Sequence, residues 1–244
     1  MTQQQQLTSY KVWDKTVRIF HWLNVVCVLA LIGLGTVILN SKALGVSNDG
    51  KILLKTVHVY IGYVFALNLS WRIVWGFIGG HYARWRQMLP FGKSYNAQLK
   101  VYLDKTNKAG FLGHNPIGRL MVALLFLLLS IQSITGLVLA GTDVYMPPFG
   151  NTIKEWVAVD EQAIAQVKPY SKEGIDPKAY EEMRDFRKAF ITTHYYVFYI
   201  LLIAIVLHLF GVLITELREQ NGIVSAMFTG KKVFIDKPHD LKEG

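Results

Sequence analysis

A single cysteine, Cys27, occurs in 244 residues. That excludes an intrachain disulfide, a cysteine-rich zinc or iron–sulfur site, and covalent haem attachment, which needs C-x-x-C-H. Charge is also sparse, at 18% of residues against about 25% in soluble domains. Acids are the scarcer sign, 17 against 26 Lys and Arg, for a formal charge of +9. A basic balance of this size can signal nucleic acid, but only where the cations form a patch of their own. Here most of them flank long apolar runs, so the expected contact is membrane lipid and no nucleic acid. A cleavable signal peptide is not evident. The first apolar run begins near residue 19, is too long, and lacks a small-residue cleavage site, so it is expected to stay as an anchor.

What is abundant is hydrophobic residues, 52% of the chain. They gather into four runs long enough to cross a bilayer, at about 19–39, 57–78, 116–140 and 190–214. The expected organisation is an N-terminal segment 1–17, a four-span domain 18–217 and a tail 218–244. Residues 1–9 are polar and expected to be unstructured. The 40–56 loop holds the turn signals Asn48, Asp49 and Gly50. Residues 79–115 carry Arg84, Arg86, Lys93, Lys100, Lys105 and Lys108 against one acid, Asp104. Pro116 opens the third span in the first-turn position proline tolerates. The 141–189 loop has nine acids and seven bases. A surface helix is expected over 152–167, and Asp176–Pro177 reads as an N-cap and first-turn proline of a helix running into the fourth span. Basic residues mark the cytoplasmic side. Both termini and the 79–115 segment are therefore expected in the cytoplasm, and the 141–189 loop outside. Lys42, Lys51 and Lys55 in the first loop are a mild exception.

The fourth span carries His194 and His208, fourteen residues apart. At ~100° and ~1.5 Å per residue they share one helix side, ~21 Å apart along the axis. With the derived topology, His21 in the first span lies level with His208, and His58 in the second lies level with His194. A lone histidine near a span terminus is usually an interfacial residue. Two pairs at matched depth point instead to cofactors between facing helices. Structural zinc takes four ligands at one centre, whereas this spacing separates two centres with two imidazoles each. That donor set suits haem iron, whose porphyrin supplies the other four ligands. The fold class is then an all-α membrane protein, a four-transmembrane-helix bundle enclosing two non-covalent b haems. Gly62, one turn after His58, lets a flat macrocycle approach the backbone, as do Gly33, Gly35 and Gly136, although glycine also serves helix packing. Arg18 and Arg72 either pair with haem propionates or snorkel to headgroups. Trp22, Trp71 and Trp75 read as the interfacial belt.

The motifs RIFHW (Arg18–Trp22), HVYIGY (His58–Tyr63), GHNP (Gly113–Pro116) and the fourth-span histidine pair, in this order and spacing, resemble the bacterial cytochrome b561 and Ni,Fe-hydrogenase b-type cytochrome subunits over roughly residues 10–235. The resemblance implies a dihaem protein of the bacterial inner membrane that passes electrons between the quinone pool and a partner, with His21, His58, His194 and His208 as axial ligands. Quinone chemistry needs polar groups beside one haem. His114 and Asn115 are the candidates, the alternative being that Asn115 and Pro116 simply start a helix with His114 exposed. His81 and His239 are assigned no role. The outer loop would dock a periplasmic redox protein: a c-type cytochrome, a hydrogenase or a molybdoenzyme. No residue is expected to oxidise a substrate itself. Two other readings stay open: a stand-alone quinol-dependent reductase of superoxide or ferric iron, and a haem-free channel or assembly protein.

Overall fold

A computed structural model describes residues 7–104 and 110–241. Residues 1–6, and Lys105 and Lys108 of the basic segment, lie outside the described residues. In chain order the elements are β1 (Thr8–Lys11), α1 (Lys15–Leu39), α2 (Asn48–Ile78), α3 (Trp85–Met88), α4 (Lys93–Leu103), α5 (Pro116–Val144), α6 (Gly150–Val157), α7 (Pro177–Glu219), α8 (Ile223–Thr229) and β2 (Lys231–Phe234).

Four of these, α1, α2, α5 and α7, are long and apolar enough to cross a membrane. Only 11–17% of their apolar windows is buried within the protein. Side chains such as Leu67, Leu127 and Ile203 therefore point outward, which is stable only against lipid. The protein is an all-α four-helix membrane protein.

Side-chain caps set where the long helices begin. Asp14 Oδ1 accepts the Val17 amide at 2.8 Å ahead of α1, and Asp176 Oδ1 accepts the Ala179 amide at 2.8 Å ahead of α7. Ser47 Oγ accepts the Gly50 amide at 3.1 Å. That cap starts α2 at Asn48, so the residues that read as a turn form its first turn, and the helix extends well before residue 57. The surface helix expected over 152–167 is shorter. α6 ends at Val157, and a separate 3-10 turn spans Gln162–Gln166. The break coincides with an isolated bridge between Ala158 and Ile175.

The chain forms two compact units, one of Met1–Trp22, Ser70–Leu127 and Leu201–Gly244, the other of Leu23–Leu69 and Leu128–Ile200. In the first, β1 and β2 pair antiparallel, Thr8 opposite Phe234 and Lys11 opposite Lys231. Thr8 and Ser9, expected to be unstructured, are thus ordered by a strand more than two hundred residues away. No local pattern announces such pairing. Val12, Trp13, Val17, Ala83, Leu112, Ala226 and Phe234 form the core beneath this sheet. Gly222 and Gly230 bracket α8 with φ of 75° and 79°. At Gly230 a Cβ would also stand 2.6 Å from the Trp13 carbonyl oxygen, so only glycine fits. In the second unit, Ile153, Val157, Val167 and Met183 pack the loop between α5 and α7 into its own small core. Asp143 at the end of α5 accepts from both Lys55 of α2 and Arg187 of α7.

Candidate functional site

Each unit brings together one of the histidine pairs. In the first, His21 of α1 and His208 of α7 lie within electrostatic reach of one another. In the second, His58 of α2 and His194 of α7 do so. The Nδ1 atoms of His21 and His58 are buried without a hydrogen-bond partner. An orphaned buried ring nitrogen carries a desolvation cost, which calls for a partner from outside the chain. Among the described residues, no group of three or more His, Cys, Asp or Glu side chains converges on one point. The donors on offer are two imidazoles per unit.

The second-unit site is the better supported. His194 Nδ1 lies 2.9 Å from Thr135 Oγ1 of α5. That hydroxyl already donates to the Ile131 carbonyl at 2.8 Å, which suits it to accept from Nδ1–H and would leave Nε2 free to ligate. Thr135 escaped the sequence reading. It stands beside Gly136, where an added Cβ would lie 3.3 Å from His194 Cε1. On the facing side, a Cβ on Gly35 would stand 3.6 Å from His58 Cε1. Gly33 and Gly62 have nothing within 4 Å of where a Cβ would lie. Two rings bordered by bare backbone and open space fit a flat macrocycle.

In the first unit, Arg72 is buried to 2% exposure. Its Nη2 donates to the Ala83 carbonyl at 3.0 Å and to Met88 Sδ, and its guanidinium lies 5.6–5.8 Å from the ring centres of Phe20, Trp85 and Phe126. Packing of this kind is not snorkelling. Nη1 is left buried and unpartnered, as is Nε of Arg18, whose Nη1 donates to the Phe228 carbonyl. Both arginines thus keep a donor for an anionic group. Of the tryptophans read as a belt, Trp22 donates to the Met227 carbonyl at 3.0 Å and Trp75 to Asp14 Oδ2 at 3.0 Å, so these two tie α1 and α2 to their neighbours in the unit.

His114 and Asn115 sit at the start of α5. Asn115 Oδ1 accepts the Gly118 amide at 2.7 Å, the helix-starting role. Its Nδ2 donates to Glu219 Oε1 at 3.2 Å and to Tyr102 Oη at 3.3 Å, which a cap alone does not require. His114 is half-buried rather than exposed, its ring 4.8 Å from that of Trp13 and its Nδ1 enclosed without a partner. Burial first, then the nearby charges of Lys232, Arg72 and Arg119, push its pKa down to about 3, so it is neutral. Lys232, a cation of the basic tail, is not solvated. It is buried instead, donating from Nζ to the carbonyls of Phe111 at 3.0 Å and Gly113 at 3.1 Å. Burial lowers its pKa to about 8 despite Glu219, Asp240 and Glu216. Tyr102, Glu219 and Lys232 were missed because they approach Asn115 and His114 from residues that are distant in the chain.

The chain matches the model of the prokaryotic cytochrome b561 family over residues 12–230. It is 33% identical over 146 residues to the probable Ni/Fe-hydrogenase 1 B-type cytochrome subunit of Escherichia coli (strain K12), a match covering 54% of this chain and 61% of that protein. It is 21% identical over 245 residues to the probable Ni/Fe-hydrogenase B-type cytochrome subunit of Azotobacter vinelandii, covering 96% and 92%. With that of Rhizobium leguminosarum bv. viciae it shares 23% over 241 residues, covering 94% and 91%. No solved structure matches.

Proposed function

Since the chain belongs to the prokaryotic cytochrome b561 family, membrane proteins that carry b-type haem and transfer electrons, we propose that it is a dihaem cytochrome linking the quinone pool to a periplasmic redox partner across the inner membrane. The observation that carries this reading is one histidine pair in each compact unit, His21 with His208 and His58 with His194. Bound haem iron supplies reversible one-electron exchange. The histidines hold it, Thr135 fixes the ring of His194, and Gly35, Gly62 and Gly136 leave room beside the ligands. Arg18 and Arg72 offer their unpartnered donors to propionates.

Quinol oxidation also releases protons, which need an acceptor. Glu219 is suited to that task, accepting from Asn115 Nδ2 and, at 2.8 Å, from Asn221 Nδ2. A neutral His114 beside this cluster presents a hydrogen-bonding ring to a quinone oxygen without adding charge. The partner most in keeping with the relatives' names is a Ni/Fe-hydrogenase. On this reading the 141–189 loop is outside and both termini are cytoplasmic, the orientation that the bias of Lys and Arg favours.

The test is a haem count by pyridine haemochrome on the purified full chain, with single substitutions. The wild type should hold two b haems. His208→Ala should lose one and His194→Ala the other, told apart by their separate midpoint potentials. Loss of the same haem in both variants would refute the pairing, and a colourless wild-type preparation would favour the channel reading.

A further inference from the structure

A concavity in the first unit is lined by residues outside both histidine pairs. It encloses about 580 Å³ between the end of α2, the segment through α3, and the starts of α4 and α5, and Arg84, Arg86, Gln87, Ser94 and Arg119 line it together with His81. Three arginines thus share one cavity. Among the described residues none of the three forms an ion pair. Arg84 uses Nε on the Gly79 carbonyl at 3.0 Å. Arg119 is 3% exposed, and its buried Nε has no hydrogen-bond partner. The acid within electrostatic reach of Arg119 is Asp240. That carboxylate is already taken by the amides of Leu112 and Gly113. Holding like charges together with one buried donor unsatisfied is costly unless an anion completes the set.

Guanidinium forks match the tetrahedral oxygens of a phosphate. The location narrows the source. Ile78 ends one membrane-crossing helix and Pro116 begins another, so residues between them lie at headgroup depth. Immediately on the apolar side, Phe77, Ile78, Ile117 and Leu120 are exposed, and Phe91 at the cavity is 73% exposed. Phe91 lines the cavity itself, and the exposed apolar side chains at the adjoining helix ends offer surface for acyl chains.

We propose that this cavity is a binding site for the phosphate of an anionic phospholipid, with Arg84, Arg86 and Arg119 as its ligands and the exposed apolar side chains of α2 and α5 under its acyl chains. The same forks accept free phosphate, so the test separates the two sources. Full-length protein in mild detergent is titrated with phosphatidylglycerol, phosphatidylcholine or inorganic phosphate, and bound adducts are counted by native mass spectrometry. Phosphatidylglycerol should bind at least several-fold more tightly than phosphatidylcholine. Arg84→Gln with Arg86→Gln, both exposed positions that need not disturb folding, should weaken it roughly tenfold or more, as expected for two cations at a membrane surface. Lys42→Gln with Lys51→Gln should leave it unchanged. Capture of inorganic phosphate with no lipid preference, lost in the same arginine variant, would overturn the lipid source. Binding of both lipids alike, or binding that survives loss of the two arginines, would overturn the site itself.

Discussion

At the level of single residues, Thr135 is the position whose chemistry is most sharply defined. By accepting from His194 Nδ1–H it makes that imidazole a stronger donor at Nε2, which favours the ferric state of a bound iron. Thr135→Val keeps the volume and removes the side-chain acceptor, leaving only the backbone contact with Gln132. The midpoint potential of the haem that His194→Ala abolishes should rise by some tens of millivolts, up to ~60 mV for a tenfold change in relative affinity. The other haem should stay put, and Thr135→Ser should restore the original value. Redox potentiometry reads this directly, and movement of both centres together would count against the assignment. The four histidines were legible in the sequence because ionisable side chains in apolar runs stand out at once. Thr135 was not, since a threonine in a membrane helix ordinarily satisfies its hydroxyl on its own backbone, and this one does that as well.

Among elements, the question is what joins α2, α5 and α7 in the second unit. Asp143 receives both Lys55 and Arg187, and the three side chains are only 17–24% exposed. An exposed pair is worth little, whereas stripping a shielded one leaves uncompensated charge. Asp143→Asn should therefore destabilise by ~1–3 kcal/mol, about 2–4 °C per kcal/mol in a chain of this size. Glu181→Gln, which breaks the exposed pair with Arg184 within α7, should cost less than ~0.5 kcal/mol. Thermal unfolding of the two variants in the same detergent checks the ranking, and equal shifts would show that burial is not what makes the triad matter. Helix existence was readable from apolar length, and the starts of α5 and α7 from Pro116 and Pro177. The start of α2 was misjudged because Asn48, Asp49 and Gly50 are as suited to a capped first turn as to a loop. The pairing of β1 with β2 was invisible, since four-residue strands meeting across nearly the whole chain leave no periodic trace.

For the molecule as a whole, the side of the membrane that each polar region occupies sets the direction of every electron and proton. The charge asymmetry is uneven. Six cations against one acid mark 79–115, while the 141–189 loop is nearly balanced. Orientation responds mainly to Lys and Arg in short segments close to the spans, so the basic segment should dominate over the three lysines before and within the start of α2. The chain supplies a clean way to ask. Its one cysteine, Cys27, is 4% exposed within α1, and Cys27→Ser removes what background remains. On that background Gln162→Cys and Asn96→Cys each place a single thiol at an exposed, uncharged position. In spheroplasts treated with a membrane-impermeant maleimide, the thiol at 162 should label at once and that at 96 only after permeabilisation. The opposite pattern would put the cluster of His114, Asn115 and Glu219, proposed above for quinone, on the outer side. Quinol oxidation would then release its protons outside, and a partner docking on the 141–189 loop would have to be cytoplasmic.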